Sequence, residues 1–281
     1  MKIWFQKHIV SGRLPALDRA YAAHFRRVAR PGTEVHLYTL PPDTYAGALP
    51  EPLVRTHAVE SLFAGYFALQ ALRAERAGYD AFVIGTSQDP GLAEARAWAR
   101  IPVLGFGQVA AHVAGVLGAR FGHVGFIAEL ADPIRVNLLR DGLAHRWVGF
   151  HPLGAGPREL LAALDGDAAP LREAFTAAAR AAIAAGAEVL IPGDGVTNEA
   201  LVAAGLGAVD GVPVIDANGL LVKAAELFVD LRTLGIATPP TTGYAHGRPD
   251  DATADHLLRL FAPRAFTLGP DPTLRPEEGR E

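Results

Sequence analysis

The chain has 281 residues, half of them apolar, so it can bury a substantial core and is not a disordered polymer. A formal charge of -4 with no run of Lys or Arg argues against a nucleic-acid partner and favours a small molecule. With no cysteine in the sequence, disulfides, thiolate metal sites and thiol nucleophiles or bases are all excluded.

No apolar stretch reaches the roughly 18 residues that a membrane helix needs, and Lys7 and His8 interrupt the opening segment where a signal peptide would stay apolar. A cytoplasmic protein is expected. Only three lysines stand against twenty-three arginines. This pattern reads as a coding bias, so Arg and Ala positions receive little weight.

In chain order, residues 2–5 (KIWF) and 34–40 (EVHLYTL) read as strands around a helical pattern from Leu14 to Val28, a βαβ opening. A long helix is expected over 57–77, with Leu62, Phe63, Tyr66, Phe67, Leu69 and Leu72 at three- and four-residue spacings and Gly78 as its stop. The run AFVIG (81–85) has the continuous apolar character of a parallel strand covered on both faces. It leads through TSQDPG to a helix over 92–100, the strand IPVLGFG (101–107) and a helix over 108–118. The second half restarts with HVGFIA (123–128), a helix over 132–144, a strand over 146–153 and helices at 157–164 and 170–185. EVLIPGDGVTNEAL (188–201), VPVID (212–216) and a helix over 217–234 follow. The Pro/Gly/Asp-rich remainder carries one modest helix near 253–261, and residues 270–281 are expected to be disordered.

Two stretches read alike when superposed: FVIGTSQDPGLAEA with IPVLGFGQVAAHVAGVLG, and VLIPGDGVTNEALVAA with VPVIDANGLLVKAAELF. Each gives a buried strand, a Gly-bearing polar loop, a helix, a strand introduced by proline, and an apolar helix. An internal duplication about a hundred residues apart is the reading. Ligands of open parallel sheets bind at the carboxyl ends of the strands, so loops 86–91 and 193–198 should face one cleft.

These same residues, DPGL after a strand, then a PV-G strand, and later PGDG followed by PVID, resemble the aspartate/glutamate/hydantoin racemase superfamily, and within it the hydantoin racemase branch. The likeness runs from residue 2 to about 235. It implies an α/β fold of two pseudo-symmetric lobes, each a parallel sheet flanked by helices, with the active-site cleft between them. Lobe 1 would comprise 1–110 plus 217–265, lobe 2 would comprise 111–216, and 266–281 would form a flexible tail. The resemblance also implies cofactor-independent proton transfer next to a carbonyl of a small carboxylate or hydantoin-like cyclic amide, and a homo-oligomer. The family places a cysteine on each side of its substrate; here the first falls on Thr86 and the second on Gly193, or on Asp194 with a shift of one. The Asn-Pro-Asn signature that binds substrate is replaced around Gln6, Lys7 and His8, and the acidic residue after the PV-G strand by Gln108, which is expected to bind substrate.

An alcohol titrates far too high to replace a thiol as a carbon base, so Thr86 is expected to bind rather than to move protons. Ser87 and Gln88 join it as substrate-binding residues, and Asp89 is expected to cap the helix that follows, with Pro90 at its first position. Asp194 is the first candidate for general acid or base, in a loop where Gly193, Gly195, Val196 and Asn198 approach the substrate. Glu199 reads as a solvated helix residue. His8, at the end of the first strand, is the second catalytic candidate. His36, His123 and His145 read as structural. No HExxH-type spacing, strand-following GxGxxG or GK[ST] occurs, so neither a metal nor a nucleotide cofactor is expected. Isomerisation is the leading expectation, a lyase, decarboxylase or hydrolase reaction the second, and a non-catalytic ligand-binding protein the alternative of another class.

Overall fold

In the computed structural model, which describes residues 1–47 and 49–262, the opening βαβ unit is β1 (Lys2–Gln6), α1 (Pro15–Val28) and β2 (Glu34–Tyr38). The expected tail, 266–281, lies outside the described residues. A short helix not foreseen in the sequence, α2 (Glu51–Val54), precedes α3 (His57–Arg76), which buries Phe63, Phe67 and Ala71 along one face. Leu62 lies 72% exposed, off that face. Gly78 ends α3 in a left-handed conformation at φ +77, donating to Glu75 O while Tyr79 N reaches Ala74 O. The chain then runs through β3 (Ala81–Ile84), α4 (Leu92–Trp98), β4 (Val103–Gly105) and α5 (Phe106–Leu117).

The second half contains β5 (Phe121–Gly125), α6 (Ala131–Arg140), β6 (Trp147–Pro152), α7 (Pro157–Leu164), α8 (Ala169–Ala184), β7 (Val189–Pro192) and α9 (Gly195–Ala203). The two-residue strands β8 (Ala208–Val209) and β9 (Val212–Pro213) form a small antiparallel pair, and α10 (Ala217–Thr233) and α11 (Asp251–Phe261) complete the chain.

Two parallel sheets result. The first has the order β2-β1-β3-β4 and the second β6-β5-β7, so each opens with a strand flanked by the next two in sequence. Where the first sheet has β4, the second has only a parallel bridge between Leu190 and Val214. The VPVID strand is therefore shorter than expected. Pro213 has no N–H to give the ladder, and Asp216 already caps α10 by accepting from Gly219 N, which leaves Val214 and Ile215 to pair.

One core cluster runs through both sheets, joining Phe5, Phe82 and Phe106 to Phe121, Leu130 and Ile191, while Leu160, Phe175 and Leu201 pack a second cluster in the outer layer of the second half. Helix α10 packs back onto β3, β4, α1 and α5. β3 and β7 are buried at every residue, which accounts for their unbroken apolar sequences. Among the described residues no helix is long and apolar enough to cross a membrane.

Candidate active site

The carboxyl ends of β1, β3 and β7 converge on a cleft of about 460 Å³ including its open mouth. Lys7, His8 and Ile9 come from the end of β1, Gly85 to Gln88 from the loop after β3, and Asp194 to Val196 from the start of α9. Leu49, Pro50, Val54, Phe126, Ile127 and Leu130 supply an apolar wall. The placement follows from parallel-sheet geometry, because strands that all point one way leave their connecting loops at one edge.

Of the residues singled out in the sequence, His8, Thr86, Ser87, Gln88, Asp194, Gly195 and Val196 all line this cleft. The Thr86 and Ser87 hydroxyls and His8 Nε2 are buried without a protein hydrogen-bond partner. A buried polar atom in that condition costs about 1–3 kcal/mol unless something pairs with it, so these three are the natural contacts for a polar ligand. The His8 ring lies 4.8 and 5.0 Å from the rings of Phe63 and Phe67. Burial, aided by the neighbouring Lys7 charge, lowers its pKa to about 3. His8 is thus a neutral hydrogen-bonding imidazole rather than a base near neutrality.

Asp194 caps α9. Its Oδ1 accepts from Val196 N at 2.9 Å and Thr197 N at 2.8 Å, and its Oδ2 from Thr197 Oγ1 at 2.6 Å. Burial raises its pKa, and the hydrogen bonds from Thr197 together with the Lys7 charge oppose the rise. The cap of α9 is thus a cleft carboxylate whose pKa lies above its ordinary value.

Lys7 was missed. Its ammonium is buried, donates to Gly85 O at 2.6 Å and stands 4.7 Å from the centre of the Tyr21 ring. Desolvation lowers its pKa to about 8, against the raising effect of Glu199 and Asp194. Gly85 and Gly195 make room for it, since a Cβ at either position would run into the Lys7 side chain. The available signal was a lysine kept inside a buried segment of a chain that otherwise uses arginine.

Several expectations need correction. Gln108 is turned away from the cleft, with its amide oxygen accepting from Arg96 Nη2 and its nitrogen donating to Asp141 Oδ1. Gly193 packs at the sheet, where a Cβ would fall 2.8 Å from Gly125 Cα and 2.9 Å from the Phe150 ring. Of the two positions matched to the second cysteine, Asp194 is the one in the cleft. Asn198 bridges Asp216 Oδ1 and Ala217 N behind the cleft. Glu199 is 1% exposed rather than solvated.

Asp89 does not cap the helix that follows it; Gly91 occupies that position. Its carboxylate instead accepts from Gly107 N and Gln108 N at 2.9 and 2.7 Å, at the start of α5, and its backbone is left-handed at φ +49. Gly105 leaves the space that the carboxylate fills. Burial raises the Asp89 pKa to about 7, offset in part by those two N–H donors.

Behind the cleft, His24 of α1 joins two carboxylates, with Nδ1 2.9 Å from Glu199 Oε1 and Nε2 2.7 Å from Asp216 Oδ2. Burial disfavours its charge, but the hydrogen bonds to Asp216 and Glu199 outweigh it and raise the pKa to about 9. Among the described residues no three His, Asp or Glu side chains converge as a metal site.

The chain matches the Asp/Glu/hydantoin racemase family over residues 17–225. It belongs to that family. Among solved structures it is similar to allantoin racemase from Klebsiella pneumoniae, 26% identical with a TM-score of 0.69 over 89% of this chain and 95% of that one. Allantoin racemase from Pseudomonas fluorescens is 24% identical, with a TM-score of 0.64 over 89% and 99%. A double mutant of arylmalonate decarboxylase in its liganded form is 15% identical, with a TM-score of 0.54 over 81% and 92%. These last two share the fold. No curated protein matches the chain in sequence.

Proposed function

We propose that this family member is a cofactor-independent isomerase of small cyclic amides of the hydantoin type, removing and returning a proton on the carbon next to a carbonyl. Lys7 and Asp194 are its proton-handling pair. The observation that carries the reading is the Lys7 ammonium, buried at the cleft floor, brought to about 8 and set beside Asp194. A group titrating near the working pH is the best general acid or base, and these two enter the cleft from different sheets.

The Thr86 and Ser87 hydroxyls then bind the amide's polar groups, and neutral His8 meets the enolate oxygen as charge develops there. The apolar wall from Leu49 to Leu130 excludes water from the reacting carbon. Similarity to an allantoin racemase supports a cyclic ureide, since allantoin carries a hydantoin ring. A second reading, decarboxylation of a small 2-substituted malonate with one-sided protonation, is favoured by the loop 86–88, where no side chain titrates near neutrality.

The test is incubation of enantiopure 5-substituted hydantoins, allantoin and 2-substituted malonates with the protein in D2O. Loss of optical rotation with deuterium at the α-carbon supports isomerisation. Release of CO2 from the malonate without hydantoin exchange supports the second reading. Tight binding of a hydantoin with no exchange and no turnover contradicts both and favours a binding protein.

A further inference from the structure

The cluster behind the cleft joins three helices and touches the catalytic floor. His24 of α1 holds Glu199 of α9 on one ring nitrogen and Asp216, at the start of α10, on the other. Asn218 Nδ2 donates to both Glu199 Oε1, at 2.8 Å, and Gly195 O, at 3.0 Å. Tyr21, one turn before His24, donates its hydroxyl to the same Gly195 oxygen at 2.9 Å. Gly195 abuts the Lys7 ammonium, so the cluster fixes the wall of the lysine's seat.

We propose that His24 is a positioning residue for Lys7: its imidazolium gives buried Glu199 a counter-charge, and Glu199 in turn supplies the negative charge behind the Lys7 ammonium. The titratable groups facing Lys7 are His8 beside it, Tyr21 from α1, and Asp194 and Glu199 from α9 and its cap. Those facing His24 are Glu199 and Asp216, and Arg27 lines with Asp216 a separate pocket that shares no lining residue with the cleft. Both ring nitrogens of His24 meet carboxylate oxygens, so the doubly protonated form is the one that satisfies both contacts. The two carboxylates differ in exposure, with side chains 1% exposed at Glu199 and 36% at Asp216. Glu199 therefore depends on His24 for compensation, whereas Asp216 also has water.

This inference rests on Lys7 as the proton-handling group, but its test requires no substrate. The sequence has three lysines, Lys2, Lys7 and Lys223, so lysine labelled with 13C at Cε gives three NMR signals, and Lys7→Gln identifies one of them. In the wild type Lys7 is expected to titrate near 8. Glu199→Gln removes the charge directly. His24→Gln keeps hydrogen-bonding groups but takes away the imidazolium that holds and compensates this buried carboxylate behind Lys7.

Each variant should lower the Lys7 titration by about one pH unit, the low end of what a neighbouring charge does. The double variant should shift it no further, because both changes act through one carboxylate. Asp216→Asn, at a more exposed position, should give a smaller shift in the same direction and serves if the buried variants unfold. An unchanged Lys7 titration in Glu199→Gln or Asp216→Asn overturns the proposal, as does a double-variant shift equal to the sum of the two single ones. Such a result would leave the reaction class standing. Absence of exchange activity with the NMR shifts intact would instead remove the reaction and keep the positioning role.

Discussion

The loop after β3 and the loop after β7 begin alike, with a buried parallel strand delivering a polar turn to the same cleft, yet their side chains do opposite work. In the first, Thr86 and Ser87 present hydroxyls, and the carboxylate, Asp89, points away to the start of α5. In the second, Asp194 stays at the cleft and caps its own helix, and Glu199 lies directly behind. Two loops at the ends of parallel strands thus reach one cleft, and the direction of one carboxylate decides which of them carries charge there. Lys7 reinforces the asymmetry, because its ammonium faces Asp194 and Glu199.

Removing the charged side should have the largest effect. Lys7→Met is expected to lower kcat by roughly 10²–10⁴-fold, the range of general acid–base catalysis, with the far-UV circular dichroism unchanged. Asp194→Asn should lower kcat by on the order of 10²-fold while the melting temperature barely moves, since Asn caps a helix as well as Asp. A parallel loss of stability and rate would mean that Asp194 only caps. On the hydroxyl side, Thr86→Val and Ser87→Ala should each raise KM about 5- to 10-fold with kcat little altered, matching a lost hydrogen bond of about 1 kcal/mol. If kcat fell instead, the division of labour between the loops would be wrong.

The smallest effect is on stability. Asp89 has a folded-state pKa of about 7 against 3.8 for the free side chain, so the native state holds the proton more tightly. Its contribution is fully present below pH 3.8 and is lost as pH rises toward about 7. Asp89→Asn, neutral throughout, should remove that part of the decline in melting temperature over this interval. A variant whose melting profile parallels the wild type across it would contradict the burial account.

Most of the fold was legible because its signals are local. AFVI and VLIP are apolar at every position, as covered parallel strands must be, and Gly78 marks a helix end by its left-handed backbone. The convergence of two loops on one cleft followed from strand direction alone. What was not legible depends on residues far apart in sequence. Asp89 read as a cap for the next helix because its partners, Gly107 and Gln108, lie beyond α4 and β4. Glu199 read as solvated because the side chain that justifies its burial, His24, is 175 residues away. Gln108 was assigned to substrate by its place after β4, but Arg96 and Asp141 compete for its amide. Lys7 was visible only as one of three lysines, with no motif or spacing to mark it as part of a site.

The central claim is that proton transfer belongs to Lys7 and Asp194 and binding to the hydroxyls of Thr86 and Ser87. The most direct measurement is the rate of α-deuterium incorporation into a saturating 5-substituted hydantoin, compared between Lys7→Met and Thr86→Val. The account predicts that exchange disappears in Lys7→Met and continues near the wild-type rate in Thr86→Val. Wild-type exchange in Lys7→Met, or its loss at saturation in Thr86→Val, would contradict it.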